Sequence, residues 1–255
     1  MNTPLRIIEV ASRPSPRLLR ACAAFGLGVR RTNDPSRSRP RHTSEARIIA
    51  LSPSKLTLIT GPSGSGKSAL LADVALAARR TARSVLPLPE PDREVPIIDL
   101  IPGRLADAIA MLARAGLGDA TLLGKTPAQL SEGERFRFRL ALALASRNPE
   151  KPTTILIDEF ASTLDRTTAR CLCVALRRWL DREQAGATRL ILGTAHHDVA
   201  AWLRPDLTAV IPLGGGPVEF TTSPDAPPAP WTLHARSGST PILRAAPVPS
   251  PRATA

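Results

Sequence analysis

The stretch that most restricts the fold is TLITGPSGSGKSALLADVAL, in which an apolar run, a glycine-rich loop and a helical pattern follow one another directly. Leu56–Thr60 is apolar and partly β-branched, which is typical of a buried strand. The loop fits G-x-x-x-x-G-K-[ST], and between a strand and a helix such a loop is expected to surround nucleotide phosphates with its backbone N–H groups. The predicted phosphate-binding residues are Gly61, Pro62, Ser63, Gly64, Ser65, Gly66, Lys67 and Ser68.

Two acidic residues follow a second strand-like run. Ile155–Ile157 indicates a strand of a parallel sheet, and Asp158 and Glu159 stand at its carboxyl end, where open α/β sheets bind ligands. We predict that Asp158 and the Ser68 hydroxyl hold Mg²⁺, and that Glu159 acts as general base toward a water molecule. The alternative is that both acids only begin the next helix. Beside a complete phosphate loop, the metal and base roles are favoured.

A third run, Leu190–Gly193, also has strand character and ends close to two histidines, His196 and His197. A histidine at this edge of the sheet can approach the γ-phosphate, and we favour His196 over His197 for that role. The alternative is a histidine that only satisfies local hydrogen bonds.

LSEGERFRFR begins with the spacing S-x-x-E between Ser131 and Glu134. This spacing predicts a capping box, in which each side chain accepts a hydrogen bond from a backbone N–H group of the other residue. The start of this helix therefore has a complete structural explanation, and whether it also binds a ligand depends on the rest of the chain.

Composition divides the chain into three parts. Many of the 26 prolines lie before Arg41 or after Thr222, so we expect an Arg/Pro-rich arm over residues 1–43, a globular domain over 44–221 and a disordered Pro/Ser-rich tail over 222–255. Within the arm, Ile7–Val10 is expected to add an edge strand. Leu105–Ala115 has helical spacing, and Thr208–Pro212 with Val218–Phe220 are expected to be the later strands.

The formal charge of +12 raises the hypothesis of nucleic-acid binding, which we consider weak. Nearly all of the positive charge is arginine, and much of it lies in the N-terminal arm, where a solvated segment is the simpler interpretation. No window of about 18 apolar residues is present. A cytoplasmic protein, peripheral at a membrane at most, is expected.

In order, the chain carries a phosphate loop, LSEGE, ILIDE, STLD and a histidine after a strand. Over roughly Ser44 to Pro212 this order resembles the nucleotide-binding domain of ABC ATPases. Leu130–Glu134 is similar to the family signature LSGGQ, Asp158 and Glu159 to the Walker B pair, Ser162–Asp165 to the D-loop and His196 to the switch histidine. The resemblance implies a three-layer P-loop NTPase α/β fold with a mostly parallel core sheet and a short helical subdomain.

The resemblance also implies how ATP and Mg²⁺ would be bound. Two ABC domains, in a homodimer or a heterodimer, pack head to tail, and each nucleotide lies between the phosphate loop of one and the signature of the other. Ser131, Gly133 and Asp165 would thereby join the nucleotide site. The runs DEFASTLDR and LSEGERFRFRLA are also loosely similar to small soluble ABC-like ATPases associated with acetyltransferase-like domains in bacteria and phages.

The chain departs from the family pattern at two places. Glu132 and Glu134 replace a glycine and a glutamine of the signature, and Glu134 is expected to turn back to its own helix cap. The glutamine that normally contacts the metal is missing between Ser68 and Gln129, and Asp99, after the strand-like run VPII, is the candidate substitute.

Four functions follow from these patterns. The first is an ATPase that hydrolyses ATP as a dimer to drive a soluble machine. The second is the ATP-binding subunit of a membrane transporter whose membrane domain is encoded separately. The third is a nucleotide-gated protein with poor turnover. A small kinase or GTPase is the fourth, and the LSEGE stretch argues against it.

Overall fold

The structure, a computed structural model, describes residues 7–10, 13–31, 42–81, 83–148, 150–183, 188–214, 216–223, 231–234 and 242–245. The chain forms two compact units, Met1–His42 and Thr43–Ala255. The strands are β1 (Ile7–Val10), β2 (Gly28–Arg31), β3 (Leu56–Thr60), β4 (Ser84–Pro87), β5 (Thr153–Ile157), β6 (Thr188–Thr194), β7 (Leu207–Val210), β8 (Glu219–Thr222), β9 (Trp231–His234) and β10 (Ile242–Ala245). The α-helices are α1 (Pro16–Ala24), α2 (Thr43–Leu51), α3 (Lys67–Ala78), α4 (Ile97–Leu100), α5 (Leu105–Arg114), α6 (Ala120–Leu123), α7 (Glu132–Ala145), α8 (Arg166–Arg182) and α9 (Asp198–Leu203).

The described part of the second unit contains a six-stranded sheet in the order β4-β5-β6-β3-β7-β8. All neighbours pair in parallel except β7 and β8, which are antiparallel. The carboxyl ends of β5, β6 and β3 therefore lie side by side at one edge of the sheet, where open α/β sheets place their ligands.

Helices cover both faces of this sheet, and the strand residues show why. Leu58 and Leu192 pack with α7, α8 and α9 on one face. Their neighbours Ile59 and Ile191 pack with α2 and α3 on the other face. Because successive side chains of a strand point to opposite faces, two covered faces require nearly continuous apolar strands. The three-layer, mostly parallel α/β fold expected from the sequence is confirmed.

A smaller core lies among α4, α5, α6 and α7, built around the fully buried Ile97, Leu112 and Phe138. This is the expected short helical subdomain, and Leu105–Arg114 forms the helix predicted there. The strands predicted from Leu56, Ile155 and Leu190 are also present, and the two late strands are β7 and β8.

The first unit differs from the expected arm. Pro16 occupies the first turn of α1, where a missing N–H costs nothing, and Ser15 caps that helix by accepting from the N–H of Leu18. Ile7–Val10 is a strand, but it pairs in parallel with β2 of the same unit and not with the six-stranded sheet. The strand expected at Ile7–Val10 is thus present, as one strand of a two-stranded sheet, and β1, α1 and β2 form a β-α-β unit.

The tail also differs from expectation over two segments. Strands β9 and β10 pair antiparallel, and the aromatic and β-branched residues Trp231, Thr232 and Ile242 favour extended backbone there. The expected disorder over residues 224–230, 235–241 and 246–255 concerns positions outside the described residues. Among the helices of the described ranges, none combines the length and apolar character needed to cross a membrane.

Candidate nucleotide-binding site

The glycine-rich loop connects β3 to α3, and its first glycine is required by close packing. A Cβ on Gly61 would lie 2.3 Å from the carbonyl oxygen of Ile211 and 2.8 Å from Ser65 Oγ. The Ile211 N–H donates to Thr60 O at 2.8 Å, which holds the end of β7 against the loop. Because the obstacle is backbone, the loop can close in this way only with glycine.

The remaining loop residues fit an anionic ligand. Lys67 Nζ donates to the carbonyl oxygens of Gly61 and Pro62, at 2.8 Å each, so the ammonium lies across the loop. Ser65 Oγ is buried and has no hydrogen-bond partner within the described residues. An unsatisfied buried hydroxyl costs about 1–3 kcal/mol, which a phosphate oxygen would recover. Helix α3 begins at Lys67 and directs its free N–H groups toward the same place.

Asp158 approaches α3 across β6 because the intervening residue is a glycine. A Cβ on Gly193 would lie 3.1 Å from Asp158 Oδ1 and 2.7 Å from Leu71 Cδ1. Ser68 is one helical turn before Leu71 and is exposed at the start of α3, while Asp158 is exposed directly after β5. The two predicted Mg²⁺ ligands thus belong to elements that meet beside Gly193. A hydroxyl and a carboxylate are oxygen donors of the kind Mg²⁺ prefers.

Glu159 stands in a strained turn that is held on both sides. Its φ is 52° and that of Ala161 is 61°, a region that costs non-glycine residues about 1–2 kcal/mol. The buried Phe160 between them donates from its N–H to Gly193 O at 2.7 Å, and Thr194 Oγ1 donates to Phe160 O at 3.0 Å. The turn leaves the Glu159 side chain exposed at the sheet edge.

The same threonine orders the predicted histidine segment. The backbone N–H of His196 donates to Thr194 Oγ1 at 3.2 Å. His196 is half-buried, whereas His197 is exposed directly before α9. Both lie at the carboxyl end of β6, and the preference for His196 stays a prediction.

The LSEGE stretch forms the predicted capping box at the start of α7. The Ser131 N–H donates to Glu134 Oε2 at 2.8 Å, and the Glu134 N–H donates to Ser131 Oγ at 3.3 Å. The hydrogen bond from the Ser131 N–H lowers the pKa of the Glu134 carboxyl below its usual value. Glu134 is thus turned back to its own cap, as expected, while Ser131 and Glu132 are exposed.

Within the chain, the LSEGE stretch packs against the segment after Asp158 and Glu159. A Cβ on Gly133 would lie 3.1 Å from Leu164 Cδ2 and 3.3 Å from Thr163 O. Asp165 caps α8, accepting from the Thr168 N–H at 2.9 Å, and the hydrogen bonds from Thr168 lower the pKa of that carboxyl. The nucleotide role that the resemblance gives to Asp165 stays a prediction beside this capping role.

A cavity of about 700 Å³ lies beside the two carboxylates. Its walls include Asp158, Glu159, Glu132, Arg135, Phe136, Arg139, Leu71 and Leu88. Acidic groups from the end of β5 and from the start of α7 therefore share one open space with two arginines of α7.

The prediction that Asp99 follows a strand was wrong. Asp99 lies in the short helix α4, because Pro96 begins that helix and Ile97 is buried in the helical core. Strand β4 lies next to β5 and is followed by Leu88, Pro89 and Glu90, so these residues, and not Asp99, follow a strand at this edge. Arg139 of α7 binds all three of them. Sequence reasoning missed Arg139, Gly193 and Thr194, whose importance depends on contacts between distant segments.

Comparison with known proteins identifies the class of this domain. A family model described as AAA ATPase domain matches residues 46–195, more than half of the 255 residues. The spermidine/putrescine import ATP-binding protein PotA of Pseudomonas fluorescens is 33% identical over 129 residues, which cover 49% of this chain and 32% of that protein. The lipoprotein-releasing system ATP-binding protein LolD of Maricaulis maris is 28% identical over 197 residues, 63% of this chain and 82% of LolD.

Coverage differs among the relatives. The match to the methionine import ATP-binding protein MetN 2 of Shouchella clausii, at 33% identity, covers 37% of this chain and 24% of that protein. The chain thus spans about a third or less of the length of PotA and MetN 2.

Among solved structures, the dimeric MJ0796, a bacterial ABC transporter cassette, has a TM-score of 0.50 at 20% identity, covering 65% of this chain and 84% of that one. This likeness shows a shared fold, with the phosphate loop and the carboxylates at the same sheet edge of this chain. We conclude that the chain belongs to the family of the AAA ATPase domain, and that it shares the fold of a bacterial ABC transporter cassette.

Proposed function

We propose that the protein binds Mg-ATP between two head-to-tail subunits and hydrolyses it to drive a separate partner. The observation that supports this best is the placement of the LSEGE stretch. Ser131 is exposed at the start of α7, whose N-terminal turn packs through Gly133 on the chain's own Thr163 and Leu164. An exposed helix start with oriented N–H groups suits an anion, which a second subunit can supply. The similar MJ0796 cassette is itself dimeric.

The chemistry assigned to this chain's residues is phosphoryl transfer to water. The loop N–H groups and Lys67 bind the phosphates, and Ser68 with Asp158 would hold Mg²⁺, which neutralises charge on the phosphate oxygens when bound. Glu159 accepts a proton from the attacking water, whose oxygen bonds to the γ-phosphorus as the bond to ADP breaks. His196 would contact the γ-phosphate side of the site.

Two kinds of partner are consistent with this activity. A membrane transporter domain is suggested by the relatives, because PotA and MetN 2 are import proteins and LolD belongs to a lipoprotein-releasing system. A soluble partner is suggested by the short helices α4 and α6, of four residues each, and by the lack of a glutamine between Ser68 and Gln129. The transporter role fits at least as well as the soluble one.

Affinity purification of tagged Glu159→Gln from its native cells, with Mg²⁺ and ATP present, distinguishes the two. This substitution should prevent hydrolysis of the bound ATP. The two subunits should then stay joined around ATP and keep the protein that they drive bound. A polytopic membrane protein absent from the Lys67→Ala control would support the transporter role. A soluble protein or nucleic acid in its place would support the soluble machine, and no ATP-dependent partner in either fraction would contradict a partner-driving ATPase.

A further inference from the structure

Helix α7 belongs to two hydrophobic cores at once. Leu140 and Leu144 pack in the core of the sheet, whereas Phe138 and Leu142 pack in the core of the helical subdomain. One end of this helix is the exposed LSEGE turn. A shift of α7 therefore moves the LSEGE stretch relative to the sheet, since packed interiors transmit displacement.

Arg139 gives α7 a polar connection to the sheet edge. Its Nε donates to Pro89 O at 2.8 Å, its Nη2 donates to Leu88 O at 3.2 Å, and the same guanidinium forms an ion pair with Glu90. The Arg139 side chain is 27% exposed. A planar guanidinium with donors in a fixed fork can bind several acceptors in one geometry, which an ammonium cannot.

The segment held by Arg139 leaves the sheet next to the strand that carries the acidic pair. Strands β4 and β5 pair in parallel with Pro87 opposite Leu156, so Leu88 follows β4 at the level where β5 approaches Asp158. Leu88 and Arg139 line the same cavity as Asp158 and Glu159.

A second contact between α7 and this edge lies less than one turn from Arg139. The Phe136 ring meets the Phe160 ring edge-on, with 5.8 Å between the ring centroids. Phe160 directly follows Glu159 and is anchored to Gly193 O. Helix α7 thus makes an apolar contact with Phe160, next to Glu159, and polar contacts with the segment after β4.

We propose that Arg139 is a positioning residue that couples the LSEGE stretch to the Asp158–Glu159 carboxylates of the same chain. It holds the segment after β4 against α7, so that the carboxylates and the LSEGE turn keep the separation needed for hydrolysis. This inference rests on the proposed ATPase function. The proposal gives the connection between α7 and the carboxylates to Arg139. Asp99 lies inside the helical subdomain and does not make this connection.

The test compares Arg139→Ala, Arg139→Lys and Glu90→Ala in the full chain. We expect Arg139→Ala to lower kcat about tenfold while the Kd for ADP changes less than about twofold, since Arg139 has no role in phosphate binding. Arg139→Lys should recover only part of this loss because one ammonium cannot replace the fork. Glu90→Ala should have an intermediate effect.

Arg147→Ala is the matched control. Arg147 follows the other end of α7 and ties it to α8, by an ion pair with Glu183 and by lying over the Trp179 ring at 4.9 Å. This variant should lower stability to unfolding without the loss of kcat. An unchanged kcat in Arg139→Ala, full recovery in Arg139→Lys, or an equal kcat loss in Arg147→Ala would overturn the proposal.

Hydrogen exchange separates this proposal from the ATPase function itself. In the wild type, ADP should change amide exchange in α7, and in Arg139→Ala that change should disappear although ADP still binds. If the wild type binds ADP but does not hydrolyse ATP, the proposed function fails and exchange still decides the coupling. An α7 response that is the same in both proteins would refute the role of Arg139.

Discussion

At the scale of single residues, the site depends on a few positions where one atom decides the geometry. A Cβ on Gly61 would lie 2.3 Å from the backbone oxygen of Ile211, and a Cβ on Gly193 would lie 3.1 Å from the Asp158 carboxylate. Glycine at these two positions allows both oxygens to come close. The first was predictable because a phosphate loop needs glycine at that position. The second was not, because Gly193 matters only through its neighbours Leu71 and Asp158, which are distant in the sequence.

The roles proposed for Lys67 and Glu159 separate nucleotide binding from turnover. Lys67→Ala should abolish nucleotide binding, because the loop loses the cation proposed to face the phosphates. Glu159→Gln should bind ATP normally and lose turnover by about 100-fold or more, because the amide cannot accept the proton. Equilibrium binding and phosphate release measure the two effects. Hydrolysis by Glu159→Gln at the wild-type rate would show that another group is the base.

The two histidines can be told apart by single substitutions. His196→Ala should reduce kcat about 10- to 100-fold if this side chain contacts the γ-phosphate side, whereas His197→Ala should stay near the wild-type rate. Steady-state kinetics of both variants, with thermal unfolding to check the fold, provide the comparison. The reverse pattern would transfer the role to His197.

Gly193→Ala tests whether the close approach of Asp158 to α3 at Gly193 is needed for activity. The new Cβ would lie 2.7 Å from Leu71 Cδ1 and 3.1 Å from Asp158 Oδ1, so it should push the Leu71 side chain and the Asp158 carboxylate apart. We expect the Mg²⁺ requirement to rise and kcat to fall about 10- to 100-fold. Gly124→Ala is the control, because a Cβ there would have no neighbour within 4 Å. Titration of activity with Mg²⁺ gives the Mg²⁺ requirement and kcat. Equal curves for Gly193→Ala and Gly124→Ala would show that the approach of Asp158 to α3 is not needed.

At the scale of elements, capping was predictable because it depends on local spacing. The S-x-x-E pattern predicted the start of α7, and the strand-loop-helix order predicted β3 and α3. Elements whose partners lie elsewhere were harder to predict. The run VPIID reads as a strand by its apolar character, yet packing of Ile97 against the helical core makes it a helix.

The capping box gives a signed pH dependence. Because the folded-state pKa of Glu134 is lowered, its stabilising contribution is complete above the unfolded pKa, about 4.3, and is lost as pH falls through the folded pKa. The stability difference between wild type and Glu134→Gln should therefore be largest near neutral pH and shrink below about pH 4. Urea unfolding from pH 7 to pH 3 measures it. A stability difference between wild type and Glu134→Gln that stays the same from pH 7 to pH 3 would contradict this contribution of the capping box.

At the scale of the whole molecule, several of the positively charged side chains form hydrogen bonds within the chain. Arg135, Arg137 and Arg139 donate to backbone carbonyls around α7, and Arg189 donates to the carbonyls of Ser54 and Ala50. Burial lowers the pKa of Arg189 to about 10. These arginines hold elements together, so the net charge of +12 is weak support for nucleic-acid binding. The partner and the cargo cannot be predicted from these local patterns, because a fold does not determine what its domain acts on.

The central proposal is that ATP joins two copies through the LSEGE stretch, and light scattering on Glu159→Gln tests it most directly. With saturating Mg-ATP, the 27.2 kDa chain should double in mass, and with ADP it should return to a monomer. Adding Ser131→Arg should prevent the dimer while ATP still binds each chain, because the bulky cation occupies the place of the partner's phosphate. A Glu159→Gln protein that binds ATP and stays monomeric, or a dimer unaffected by Ser131→Arg, would contradict the account.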